Sequence, residues 1–314
     1  MRVTRRTAVA AALSAGVAVT GVATSAAGHP AAKSYSFKPV AVHANGKPCT
    51  NNRVFTINDK GEYGGTMYCH NKVRAFLVKA GRKTALAVLK GPGANSTTFV
   101  TTVANNGDAA LYTSQNYKPP RVGYIRFHTG GSWLRVRDPD AGRAGTMLNG
   151  LNSKGVAVGN YQVGGPKSAY QAFVFTVKGR TYQDFDVPKK AAVSTELSGV
   201  NDDGDLSGTW FDSHDIGHPF LVINGKFRYP KIKGAGSKKG DGVYLSTIAS
   251  NDDYDGVVYR NHKPHGFVIR GGKRTNITPP AGDTLAGLDG INKRGVIVGT
   301  FYGTDHLAHG FIGR

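Results

Sequence analysis

The chain has 314 residues, with 40 Lys and Arg against 20 Asp and Glu (net charge +20), 43 Gly and two Cys. Beyond the N-terminal segment no apolar run is long enough to span a membrane as a helix, and no helix-turn-helix, zinc finger or single-strand-binding aromatic motif occurs. A multi-span membrane protein and a sequence-specific nucleic-acid binder are therefore both excluded, while the charge favours polyanions without naming one.

Residues 1–27 have the build of a secretory signal peptide. Arg2, Arg5 and Arg6 give a basic start, a small-residue apolar run follows from Ala8 to Val22, and Ser25-Ala26-Ala27 offers an exit for cleavage. Thr4-Arg5-Arg6 also fits twin-arginine export, although Ala8-Val9 stands where a hydrophobic pair is usual, so the export route stays open. Residues 28–314 are expected to form one domain. Ser34–Val42 alternates like a strand. Cys49 and Cys69 flank a hairpin that turns at Asn58 to Gly61, which sets them nearly opposite each other. An oxidising destination and an even count predict a disulfide, stabilising by about 3 kcal/mol through its short loop.

The rest is a repeat, clearest in the tail from Leu285 to Arg314. Its Ile291-Asn292-Lys293-Arg294-Gly295 is a hairpin turn, with Asn at the first position and Gly where the backbone needs positive φ. The turn Asn recurs as Asn58, Ala104, Asn152, Asn201, Ala249 and Asn292, 43 to 49 residues apart. The turn Gly recurs as Gly61, Gly107, Gly155, Gly204 and Gly295, with Asp252 in the fifth copy; Asp tolerates that conformation. A second glycine follows at Gly65, Gly159, Gly208, Gly256 and Gly299, replaced by Leu111 in the second copy. An aromatic third-strand marker keeps the same period: Phe76, Tyr124, Phe173, Phe220, Phe267 and Phe311. Strand-and-turn repeats of this length point to a propeller. Fourth strands are expected at Thr84–Leu89, Ser132–Arg137, Thr181–Val187, Lys226–Ile232 and Lys273–Ile277, while the sixth copy ends without one. The expected fold is thus an all-β, six-bladed β-propeller closed by the N-terminal strand, which leaves no free ring edge.

The unit resembles the HAF-type extracellular repeat, named for a His-Ala-Phe tripeptide. The resemblance rests on His309-Gly310-Phe311, His265-Gly266-Phe267, His218-Pro219-Phe220, Gln171-Ala172-Phe173 and Arg74-Ala75-Phe76, each after an Asn-x-x-Gly-like turn. Asp186-Val187-Pro188 matches the Asp-x-Pro that often ends the unit. It covers Thr56 to Arg314; the second copy is degenerate and the fifth lacks the turn Asn and Gly. The resemblance implies a secreted or cell-surface bacterial protein and carries no catalytic residues.

Few residues point to chemistry. His218, His265 and His309 share a repeat position, and spacing this long is no local metal-ligand motif. Asp212, His214 and Asp215, with Asp305 and His306 in the matching loop, offer carboxylate and imidazole for acid–base work but no adjacent nucleophile. Asn201 to Asp205 and Asn251 to Asp253 lack the ligand spacing of a calcium loop and coincide with the repeat turn. No metal and no cofactor are expected. Charge is the strongest hint: Lys226, Arg228, Lys231, Lys233, Lys238 and Lys239 form a run with no acid, and Arg121, Arg126, Arg135, Arg137 and Arg143 crowd the second copy. The expectation is a secreted, monomeric, non-catalytic binding module for anionic polymers of the cell envelope or matrix. The alternative is an extracellular hydrolase or lyase with its site on one propeller face, since the fold hosts both.

Overall fold

A computed structural model describes residues 35–44, 47–69, 72–81, 87–89, 97–115, 118–164 and 169–314. The expected signal peptide lies outside the described residues. Among them no helix is long and apolar enough to cross a membrane.

The architecture is an all-β propeller. Each repeat is an antiparallel meander whose first strand packs against the first strand of the next repeat, and that of the sixth packs against that of the first. The first strands are Lys47–Ile57, Thr97–Val103, Thr146–Leu151, Ser194–Val200, Gly242–Ile248 and Thr284–Ile291. Each carries a register shift against its second strand near the turn, as between Leu197 and Gly199 or Leu288 and Gly290. Such bulges sharpen local twist. The expected fourth strands are present: Trp133–Val136, Thr181–Phe185 and Lys226–Arg228 are shorter than expected, Lys273–Ile277 has its expected length, and Ala87–Leu89 is the described part of the first, whose expected start lies outside the described residues.

The two periodic markers are one structural device. The second glycine and the third-strand aromatic are direct cross-strand partners: Gly65 with Phe76, Gly159 with Phe173, Gly208 with Phe220, Gly256 with Phe267 and Gly299 with Phe311. With Phe175, these phenylalanines are the largest fully buried side chains among the described residues. At Gly208 a Cβ would collide with the Glu196 carbonyl oxygen on one side and the Phe220 ring on the other. Glycine is required there because strand and ring both close onto the backbone. The second copy shows the converse. Leu111 faces Tyr124, and the tyrosine is only half-buried, packed edge-on to Trp133 at 6.2 Å.

The N-terminal stretch departs from expectation by splitting. Phe37–Pro39 pairs antiparallel with Ala308–Gly313 of the sixth repeat, whereas Val42–Ala44 pairs with Lys47–Ile57 of the first. The break falls at Val40, whose N–H donates to Gly310 (2.8 Å) and whose carbonyl accepts from the Asn52 amide (3.1 Å). Val40 and Val42 are both buried, so the chain is pinned into two different sheets within a few residues. Cys49 and Cys69 form the expected disulfide, with Cα atoms 5.0 Å apart; Thr50 pairs with Tyr68 just inside it.

Candidate functional site

The strand-one-to-strand-two turns gather at one end of the axis. In all six, the turn residue's N–H donates to the carbonyl four residues on and its carbonyl accepts from the N–H three residues on. Positive φ falls on Gly61, Gly107, Gly155, Gly204, Asp252 and Gly295, as the turn requires. The Asn side chains do two further things. Asn201 Oδ1 accepts from the N–H groups of Asp203 (3.0 Å) and Asp205 (2.9 Å), while its Nδ2 donates to the Ala249 carbonyl of the next repeat (3.1 Å). Asn58, Asn152 and Asn292 reach Ala104, Asn201 and Asn58 in the same way. The turn asparagines are thus inter-repeat fasteners.

The residue after each turn Asn, or its Ala replacement, forms a polar collar around the axis. Asn105 donates to Asp59 Oδ2 (3.0 Å) and Asp202 Oδ2 (2.9 Å), Asp202 accepts from the Ser153 N–H (2.7 Å), and Asp59 accepts from the Lys293 N–H (2.8 Å). The collar's polar groups are satisfied by one another. The cavity they line is about 70 Å³. That is far below the roughly 300 Å³ at which small-molecule sites begin.

On the opposite end, Asp212 and Asp305 organise matching loops. Asp212 Oδ1 accepts from the N–H groups of His214 (2.9 Å) and Ile216 (3.1 Å), and Oδ2 meets His218 Nε2 at 3.0 Å. Asp305 bonds His309 Nε2 at 2.9 Å and caps the Leu307 N–H. Asp305 lies below the usual carboxylate range chiefly through its His309 bond; Asp212 also lies below it, its bonds to His218, Ile216 and His214 outweighing desolvation. The His218 ring stacks on Trp210 with centroids 4.1 Å apart. Held between carboxylate and indole, the imidazole is fixed rather than offered to a nucleophile. His214, Asp215 and His306 are exposed loop residues, the last two holding positive φ. His265 is exposed and apart from these pairs. Among the described residues no group of three or more His, Cys, Asp or Glu could hold a metal ion. A further pair, His128 with Asp108 at 2.8 Å, joins the turn after the second repeat's third strand to that repeat's first turn.

Several acids were not foreseen as special. Burial pushes Asp255 up to about 8, Asp289 and Glu196 up to about 7, and Asp138 up to about 6. Asp255 accepts from the N–H and hydroxyl of Thr247 through Oδ1, and its Oδ2 is buried without a hydrogen-bond partner. Nothing in the local sequence marks these positions, because burial is set by tertiary packing and not by residue type.

The structure spreads the predicted basic run. All six residues are exposed. Lys226 follows a turn whose Asn224 N–H donates to Asp205 Oδ1 (2.7 Å), which sets it on the turn-Asn end. Lys238 and Lys239 lie at the other end, where the Gly240 N–H donates to the Asp215 carbonyl (2.9 Å). Arg228, Lys231 and Lys233 run between them, and Arg274 Nη1 donates to the Lys233 carbonyl (2.7 Å).

No family model and no curated protein matches the chain. Similar solved structures include TolB from Acinetobacter baumannii, at TM-score 0.50 and 8% identity, covering 84% of this chain and 64% of that one. Two prolyl endopeptidases appear in a structure matched at TM-score 0.49 and 12% identity, covering 84% and 41% respectively. A six-bladed fungal lectin from Aleuria aurantia, with fucose recognition, matches at TM-score 0.45 and 11% identity over 74% and 80%. The chain spans less than two thirds of the first two. At such identities the likeness concerns the fold alone.

Proposed function

We propose that the chain is a secreted, monomeric, six-bladed propeller of the HAF-repeat type, completed by its N-terminal strand, that acts as a non-catalytic binding module for anionic polymers of the cell envelope or matrix. The antiparallel pairing of Phe37–Pro39 with Ala308–Gly313 and the unbroken succession of first strands support the ring. The disulfide supports an oxidising destination.

One observation carries the binding reading: folding hides negative charge and leaves positive charge outside. Among the described residues Asp138, Asp205, Asp241, Asp253 and Asp255 are buried, and no Lys or Arg is. With Asp255 raised to about 8, one of them is neutral at pH 7. Without Arg2, Arg5 and Arg6 the mature chain keeps 37 Lys and Arg (40 − 3) against 20 Asp and Glu, and its cations are the more exposed of the two. A cavity of about 70 Å³ leaves little room for a substrate at the axis. The test is retention of the mature protein on a purified anionic wall polymer and on a neutral glucan, at low and high salt. Retention on the anionic polymer alone, weakened but not abolished by salt, is expected. Equal retention on both polymers, or none on either, refutes the proposal.

A further inference from the structure

We infer that the polyanion is held on a composite platform made by loop 236–241 and the hairpin at 259–263. The inference rests on the polyanion reading above. The keystone is Asp241. Its buried carboxylate accepts the backbone N–H groups of Lys238 (3.1 Å), Asn261 (3.2 Å) and His262 (2.9 Å), so a single side chain fastens two segments some twenty residues apart. The Gly236 N–H adds a bond to the Tyr259 carbonyl (3.0 Å). Asn261 and His262 both hold positive φ at the hairpin tip, and Gly240 does so in the loop, where its Cβ position would lie 4.0 Å from the His262 ring.

The consequence is electrostatic. Lys238, Lys239, Arg260 and Lys263 are all exposed, and none forms an ion pair among the described residues. The acid that holds them together is spent on backbone N–H groups. The exposed acid bordering the platform is Asp215, whose carbonyl accepts the Gly240 N–H. Lys226 and Arg228 differ: they sit toward the turn-Asn end, where Asp205 caps the adjoining turn and Arg228 acts on Asp252. Four exposed cations without carboxylate partners make a surface complementary to a chain of negative charge.

The experiment measures binding of labelled inorganic polyphosphate to the mature protein across a salt series. Wild type is compared with Lys238→Glu/Lys239→Glu/Lys263→Glu and with Lys226→Glu/Arg228→Glu. The triple variant should bind at least about tenfold more weakly and lose about 2 from its salt slope, at roughly 0.7 per phosphate contact. The double variant should change by less than about twofold. Equal losses in the two variants overturn the platform while leaving general polyanion binding intact; no binding by wild type at low salt takes down the polyanion reading itself. If charge reversal disturbs folding, the Lys→Gln triple must reproduce the same ranking.

Discussion

Replacing Asn201 with alanine tests whether the repeat turns fasten the propeller. The buried side chain accepts two backbone N–H groups within its own turn and donates to the Asp205 carboxylate (3.3 Å) and to the Ala249 carbonyl of the next repeat. At about 1 kcal/mol net per bond, Asn201→Ala should cost about 3–4 kcal/mol. The protein already contains the control. At Ala104 and Ala249 the asparagine is missing, and another stands two residues on. Asn106 Nδ2 reaches the Ser153 carbonyl (3.4 Å), and Asn251 Nδ2 reaches the Lys293 carbonyl (3.3 Å). Each also accepts an N–H from its own turn. The equivalent position beside Asn201 is Asp203.

Asp203→Asn should therefore return about 1 kcal/mol in the Asn201→Ala background and little in the wild type. The assay is denaturant unfolding of the oxidised protein, run as a double-mutant cycle. Far-UV and near-UV signals must coincide for the free energies to be defined. A cost below about 1 kcal/mol for Asn201→Ala refutes the fastening argument. Equal effects of Asp203→Asn in both backgrounds refute the compensation argument.

Phe220→Ala should destabilise by about 3–5 kcal/mol, measured by the same unfolding assay, whereas Tyr124→Ala in the second repeat should cost less because Leu111 already fills part of that space. Reducing the Cys49–Cys69 disulfide should cost about 3 kcal/mol, read as a lowered denaturation midpoint with and without reductant. Asp255, Asp289 and Glu196 have raised folded-state pKa values, so their contribution to stability is complete below about pH 4 and is lost as pH rises toward 8. Asp255→Asn should flatten that decline by several kcal/mol in a pH series of unfolding free energies; an unchanged slope would show that Asp255 is ionised in the folded protein.

The repeat was legible because it is local and redundant. The turn signal spans five residues, and glycine or a tolerant Asp sits wherever φ must be positive. The second glycine and the third-strand phenylalanine recur together because each makes room for the other across one register pair, which neighbouring residues cannot disguise. The disulfide was legible for the same reason, being fixed by a single hairpin register. The N-terminal split was not. Alternation in 34–42 continues through Val40, and only the long-range partners Gly310 and Asn52 break it. The raised acids were illegible because burial is set by tertiary packing and not by residue type.

A binding surface is harder still, because it arises where copies differ rather than where they agree. One difference was nevertheless countable. Between the fourth strand of one repeat and the first of the next lie residues 137–145, 186–193 and 278–283, but 229–241 between the fourth and fifth repeats. That connection is the longest of these four. It carries Lys231, Lys233, Lys238 and Lys239, and it ends in the Asp241 that binds it down. A solvated spacer would need no such anchor: exposed loops tolerate insertions at little cost in closure entropy. A buried carboxylate spent on three backbone N–H groups does cost desolvation, and those bonds are what hold its pKa below the usual range, the His262 bond foremost. The loop is thus both extended and fastened, and the fastening sets Arg260 and Lys263 beside lysines some twenty residues earlier in the chain. Composition reported the positive charge; the Asp241 clamp joins two separate segments that carry part of it.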